Sequence, residues 1–312
     1  MLSDLTFSDL CISSAPDLAW YKETPGARET KAVPASYHPE IWQLWLALSA
    51  EADRGANEFK VDFDGMRLRV ERMQTTGAGS GPETLFICRR FANQVQKLSQ
   101  IGFPLPVVSK LLGPELKDGL LIFMGKTGSM KTTSLVSFIT EWLTVQGGVC
   151  WTVENPVEIA FQGRWGAGVC YQTEVKDDAQ FASAVRQILR SSPDVIMIGE
   201  IRGGVATSDV LHAATSGHLI GTTFHANDII SGLTRFSMNS DAGYLADALR
   251  AVIYLERKKK PAGETYLALD TLFISGPNAD AMRSTIRKGE FHLLKSEIDR
   301  QRREFMMTGG GS

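Results

Sequence analysis

Residues 125 to 132 read Gly-Lys-Thr-Gly-Ser-Met-Lys-Thr, placed after the apolar run Leu120–Met124 and at the start of a helix-forming stretch. A glycine-rich turn between strand and helix aims backbone N–H groups into one concavity, and the helix N-terminus adds the positive end of its dipole. That is chemistry for holding a polyphosphate, so ATP and Mg²⁺ are the expected ligands. Lys131 is expected to bind the β- and γ-phosphates, and the Thr132 hydroxyl to coordinate Mg²⁺. Gly125, Thr127, Gly128, Ser129, Met130 and Thr133 complete the expected contact set. Met130 departs from the usual pattern, which has glycine before the lysine. In a left-handed backbone a methionine there costs on the order of 1 kcal/mol and brings a side chain near the phosphates. The expectation is a loop with altered kinetics or impaired nucleotide binding.

Three further segments carry ionisable groups at strand ends. Asp194-Val195-Ile196-Met197-Ile198-Gly199-Glu200 is an apolar strand closed by a carboxylate, which beside a nucleotide would polarise or deprotonate the attacking water. Thr152-Val153-Glu154-Asn155-Pro156-Val157-Glu158 follows another strand, and Glu154 is the candidate for assisting Mg²⁺ or positioning water; Pro156 ends the strand. In Gly217–His225, His218 and His225 stand at either end of a strand next to that of Glu200 and are candidates for sensing phosphate. They are seven apart with no third ligand, which argues against zinc.

These groups need a scaffold. From Pro104 onward short apolar runs at 120–124, 149–153, 195–198 and 219–223 alternate with helix-like sequence, the signature of a parallel sheet covered by helices. From about Thr265 a strand pair is expected, then two charged helices ending near Met306. Before Ile101 the pattern is a small α+β module. It comprises a helix with Ile41, Trp42, Trp45, Leu46 and Leu48 largely on one face, and strands 59–63 and 66–70 joined by an Asp64-Gly65 turn. A third strand covers 84–89. The expected domains are 1–100, 101–305 and a flexible tail, 306–312, whose Gly-Gly-Gly-Ser end is left aside.

A net charge of −2 over 312 residues gives no whole-protein pull toward nucleic acid or an anionic membrane, so no direct nucleic-acid partner is expected. Cys11, Cys88, Cys150 and Cys170 form no C-x-x-C pair, which excludes a zinc knuckle or disulfide framework and fits a reducing, cytosolic setting. The N-terminus lacks the charged and apolar regions of a signal peptide. No apolar run approaches the ~18 residues that span a bilayer.

Taken together, the phosphate loop at 125–132, the acidic segment 152–158, the strand 194–200 and the histidine segment 217–225 resemble, in order, the four motifs of the type II/type IV secretion ATPases. The resemblance covers nearly the whole chain and implies a RecA-like P-loop ATPase domain behind a PAS-like N-terminal domain. Ser8-Asp9-Leu10, Leu68-Arg69-Val70 and Ile87-Cys88-Arg89 are similar to segments of that N-terminal domain, by which Arg69 and Arg89 would reach the nucleotide as arginine fingers do. Ala281–Arg287 is similar to a motif of the PilT-type pilus-retraction branch, and the tetracysteine insert of the assembly branch is absent. The resemblance implies a cytoplasmic homohexamer, held at the inner membrane by a platform protein and coupling ATP hydrolysis to pilus retraction. Pilus assembly, type II/IV secretion, conjugative transfer and a weakly hydrolysing regulatory ring subunit are its alternatives. Met130 and Gly203, which replaces a frequent aspartate, imply a divergent member of type IVb or plasmid-encoded kind.

Overall fold

The computed structural model describes residues 1–24, 27–76, 82–91, 95–201, 204–260 and 263–308, with backbone alone at 178, 204–206 and 306–308. The chain divides into two units, Met1–Asn93 and Gln94–Ser312.

In the first unit, strands β1 (Asp9–Ile12), β2 (Trp20–Lys22) and β3 (Lys31–Ala32) precede helix α1 (His38–Ala52), and β4 (Glu58–Phe63), β5 (Met66–Thr75) and β6 (Glu83–Arg90) follow it. They form a six-stranded sheet in the order β3-β2-β1-β6-β5-β4, every pairing antiparallel. Asp64 and Gly65 both take positive φ, 49° and 72°, the turn that matches strand twist and folds β5 onto β4. Helix α1 buries Ile41, Leu44, Leu48 and Ala52, one stripe at spacings of three and four, against Leu10, Ile12, Leu68, Val70 and Phe86. The expected apolar face is thereby corrected. Trp42 and Leu46 lie off the stripe and are exposed, Trp42 stacking on Trp45 at 5.2 Å between ring centroids.

The second unit runs α2 (Leu105–Leu111), β7 (Gly119–Gly125), α3 (Lys131–Gln146), β8 (Val149–Glu154), β9 (Gly163–Trp165), β10 (Gly168–Glu174) and α4 (Asp178–Ile188). It continues with β11 (Val195–Glu200), α5 (Gly204–Thr215), β12 (Leu219–His225), α6 (Ile229–Ser237), α7 (Ala242–Ala248) and β13 (Leu249–Lys259). Last come β14 (Thr265–Phe273), α8 (Ala279–Arg287) and α9 (Lys295–Thr308). Its eight strands are ordered β14-β13-β7-β12-β11-β8-β10-β9, parallel throughout except for β14 and β9 at the edges. Two expectations are revised. A β9–β10 pair separates β8 from α4, where the apolar pattern implies a helix alone, and the late strand pair begins at Leu249 rather than near Thr265.

Strand β7 is buried along its whole length because successive side chains feed opposite layers. Leu120, Ile122 and Met124 join a cluster with Val210, Leu233 and Leu245, while Leu121 and Phe123 join one with Leu135, Phe138 and Ile139 of α3. Helices therefore cover both faces, and the parallel strands bring their carboxyl ends to one rim. There Gly125 is level with His225 of β12 and Leu255 of β13, and Glu200 with Thr223. In such sheets this rim is where ligands bind. All four cysteines are buried and unpaired, and burial pushes the Cys11, Cys88 and Cys150 thiols up.

Candidate functional site

The phosphate loop leaves β7 at Gly125, where a side chain would collide with the Leu255 carbonyl oxygen and the Ser129 hydroxyl; only glycine fits between. Lys126, Thr127 and Gly128 are exposed, Ser129 and Lys131 buried, and Thr132 and Thr133 half-buried in the first turn of α3. N–H groups of a first helical turn have no acceptor within the helix, so this turn suits an anion. Met130 caps α3 in the left-handed conformation, φ 71° and ψ 26°. Its side chain packs against the apolar cluster under α3.

Lys131, although 7% exposed, holds its ammonium in the loop by donating to the Lys126 carbonyl at 2.9 Å and to His225 Nδ1 at 3.4 Å. Because an ammonium only donates, Nδ1 must be the bare nitrogen. The ring proton then sits on Nε2, 3.4 Å from Glu200 Oε1. The start of α3 and the ends of β12 and β11 thus assemble an amine, an imidazole and a carboxylate in series. Burial pushes Lys131 down, against the pull of Glu200 and Glu158. Burial likewise lowers His225, helped by Lys131 and Arg235 and opposed by Glu200 and Glu158, which keeps the ring neutral.

Glu158 is the functional candidate that sequence reading misses: an exposed carboxylate electrostatically coupled to both Lys131 and His225. Glu154, the sequence candidate, is 2% exposed, and its Oε1 accepts from Thr152 Oγ1 at 2.6 Å and Gln172 Nε2 at 2.9 Å. His225 and Glu200 also line a cavity of about 260 Å³, together with Thr207, Phe224, Arg235 and Asn239 among others. Arg235 donates to the His225 carbonyl at 3.1 Å and lies over the Phe224 ring at 5.3 Å, so it steadies the end of β12.

Among the described residues no group of three or more His, Cys, Asp or Glu is gathered to hold a metal ion. A magnesium ion brought by phosphates needs few protein oxygens. The loop offers the Thr132 hydroxyl and the buried Ser129 hydroxyl, which has no hydrogen-bond partner.

Residues 56–309 match the family described as Type II/IV secretion system protein. The chain belongs to that family. As a member of the type II/IV secretion family it is similar to the type IV pilus ATPase PilU of Pseudomonas aeruginosa, 30% identical over 74% of this chain and 63% of PilU. It is also similar to the type II secretion system protein E of Xanthomonas campestris pv. campestris, 36% identical over 89% of this chain and 52% of that protein. The chain thus spans less than two thirds of either relative. Among solved structures, the pilus retraction motor PilT with bound ADP superposes with a TM-score of 0.74 at 23% identity, covering 96% of this chain and 87% of PilT. The ATPase DotB of Legionella pneumophila gives 0.75 at 20%, covering 94% and 85%. These likenesses show the RecA-like ATPase fold.

Within this family member the expected residues separate by place. Gly125 to Thr133, Glu200 and His225 gather at one rim. His218 does not join them: it precedes β12 and donates from Nδ1 to the Pro193 carbonyl at 2.9 Å. Seven residues of extended strand carry it roughly 20 Å from this chain's own phosphate loop, so its expected phosphate contact is corrected to a backbone fastening. Arg69 and Arg89 are cross-strand neighbours on β5 and β6; Arg69 pairs with Glu58 and Arg89 with Asp9, the latter at 2.8 Å. In α8, Met282 and Ile286 are buried, while Arg287 reaches Asp247 at 2.6 Å. Gly203 lies outside the described residues. No helix among those described is long and apolar enough to cross a membrane.

Proposed function

We propose that the chain hydrolyses ATP with Mg²⁺ as one subunit of a homohexameric motor that retracts a type IV pilus. The observation that carries this reading is the series Lys131–His225–Glu200 at the mouth of the phosphate loop. The loop and the first turn of α3 hold the phosphates, and Lys131 offsets their charge. Glu200 takes the proton of the attacking water, and His225, fixed as the Nε2–H tautomer, orients that carboxylate. Glu158 and Glu154 order the water and the magnesium shell. Magnesium, when bound, neutralises phosphate charge, with Thr132 as its protein ligand. Arg69 and Arg89 are the candidates for offsetting γ-phosphate charge, in the manner of arginine fingers.

The likeness to PilU supports a pilus role. The ring works in the cytoplasm against an inner-membrane platform protein. The first test is Mg²⁺-dependent ATP turnover of the wild type against Glu200→Gln, with ring formation followed by light scattering. Turnover that vanishes in the variant supports the motor; an inert wild type that Met130→Gly revives supports the regulatory subunit. A second reading, assembly or secretion, has its own observation: the secretion relative matches 89% of this chain. Deleting the gene decides between them, hyperpiliation without retraction favouring the first and loss of pili or secretion the second.

A further inference from the structure

The loop between β8 and β9 carries Glu158, and β10 grips that loop at four backbone points. Gln172 Oε1 accepts from Phe161 N at 2.8 Å and Gln162 N at 3.0 Å. Its Nε2 donates to the Ile159 carbonyl at 3.0 Å and to Glu154 Oε1 at 2.9 Å. Both lone pairs and both protons of the amide are therefore used. The reversed amide would face two N–H groups with its own NH₂, so the network fixes its orientation. Two residues along the same face, Glu174 Oε2 accepts from Val157 N at 2.8 Å. Just beyond β10, the Lys176 carbonyl accepts from Asn155 Nδ2 at 3.2 Å. Residues 157 and 159, on either side of Glu158, are thus both held by side chains of β10, and the same amide that holds 159 also holds Glu154.

We propose that β10 is a clamp for the catalytic carboxylates, with Gln172 a positioning residue that sets Glu154 and Glu158 relative to the phosphate loop. The inference rests on the roles given to those carboxylates above. Its logic is geometric: a carboxylate on an irregular loop keeps a fixed place only if the loop backbone is satisfied at fixed points, and small displacements of reacting groups are costly in rate. An apolar residue at 172 would release three backbone groups and one carboxylate oxygen at once.

The test compares Gln172→Leu and Gln172→Glu with Glu154→Gln and Glu158→Gln in the full chain. Turnover, ADP affinity, pH profile and hydrogen exchange of the 155–162 amides are measured. Gln172→Leu is expected to lower kcat about ten- to hundredfold, leave ADP affinity within about threefold, and speed exchange across 155–162. Gln172→Glu keeps the acceptor for the two N–H groups but turns a second carboxylate toward Glu154, with Glu158 and Glu174 nearby. Two such groups share a proton as pH falls, so the pair titrates high. Protonation of the introduced carboxyl restores the donor, and the ratio of this variant's kcat to the wild-type value should climb from about pH 8 to about pH 6. A Gln172→Leu variant with wild-type turnover and exchange, while Glu158→Gln is impaired, would overturn the clamp alone. Equal losses of turnover and ADP affinity in both variants at every pH would also overturn it, showing a general structural role. Intact turnover in Glu154→Gln and Glu158→Gln would overturn the roles of those carboxylates, and the positioning claim with them; unchanged exchange in Gln172→Leu would overturn the clamp even if the wild type proved inert.

Discussion

The central strands of the second unit carry polar residues at both ends, yet the two ends treat them differently. At the amino end, Asp194 Oδ2 accepts from Val149 N at 2.7 Å, His218 donates to Pro193, and Arg250 holds Asp118 at 2.7 Å. Each group closes on nearby backbone, and Arg250 on Asp118 as well. At the carboxyl end, Lys131, His225 and Glu200 meet one another instead, with Glu158 in range. In a parallel sheet every strand ends on the same rim, so residues far apart in sequence converge there. The amino rim fastens the sheet; the carboxyl rim gathers an ammonium, an imidazole and a carboxylate within reach of one another.

That contrast can be broken by substitution at either end. Glu200→Gln should lower ATP turnover by about 10²–10⁴-fold with thermal stability nearly unchanged, read as phosphate release beside a melting curve. Next, His225 should set the acid limb of the turnover profile. Its folded value lies below the ordinary ~6.5, so the neutral ring, and whatever stability it contributes, is present above that value and lost as pH falls through the lowered one. Arg235→Met removes one of the groups that lower it and should move the acid limb to higher pH; an unmoved limb would show that another group controls it. At the amino end the expectation inverts. Asp194→Ala should cost about 1 kcal/mol of stability by orphaning Val149 N, with turnover per folded molecule unchanged. The smallest effect should be Met130→Gly. Relief of a left-handed side chain, about 1 kcal/mol, opposes the loss of its packing, whereas Met130→Ala keeps the strain and loses the packing, so it should melt below both.

The phosphate loop is legible in the sequence because strand, turn and helix are contiguous, and local chemistry dictates local geometry. The parallel sheet is legible from its buried apolar runs. What the sequence hides depends on direction or distance. Two histidines bracketing one strand lie at opposite rims, and only strand polarity tells which one faces the phosphates. Glu154 and Glu158 share a segment, but the fold of the β8–β9 loop decides that Glu158 is the one coupled to Lys131. The β9–β10 pair is hidden because its strands bury few residues and alternate weakly. In α1, aromatic size draws attention to Trp42, while helical spacing selects Leu44.

The buried thiols give each unit its own clock. Cys11 and Cys88 belong to the first unit, Cys150 and Cys170 to the second, and none is exposed. A shielded thiol is out of reach, so an alkylating reagent reacts only when the surrounding sheet opens. Mass spectrometry of alkylated peptides would then time the opening of the two units separately in one sample, with no label introduced, and would tell whether ADP steadies one unit or both.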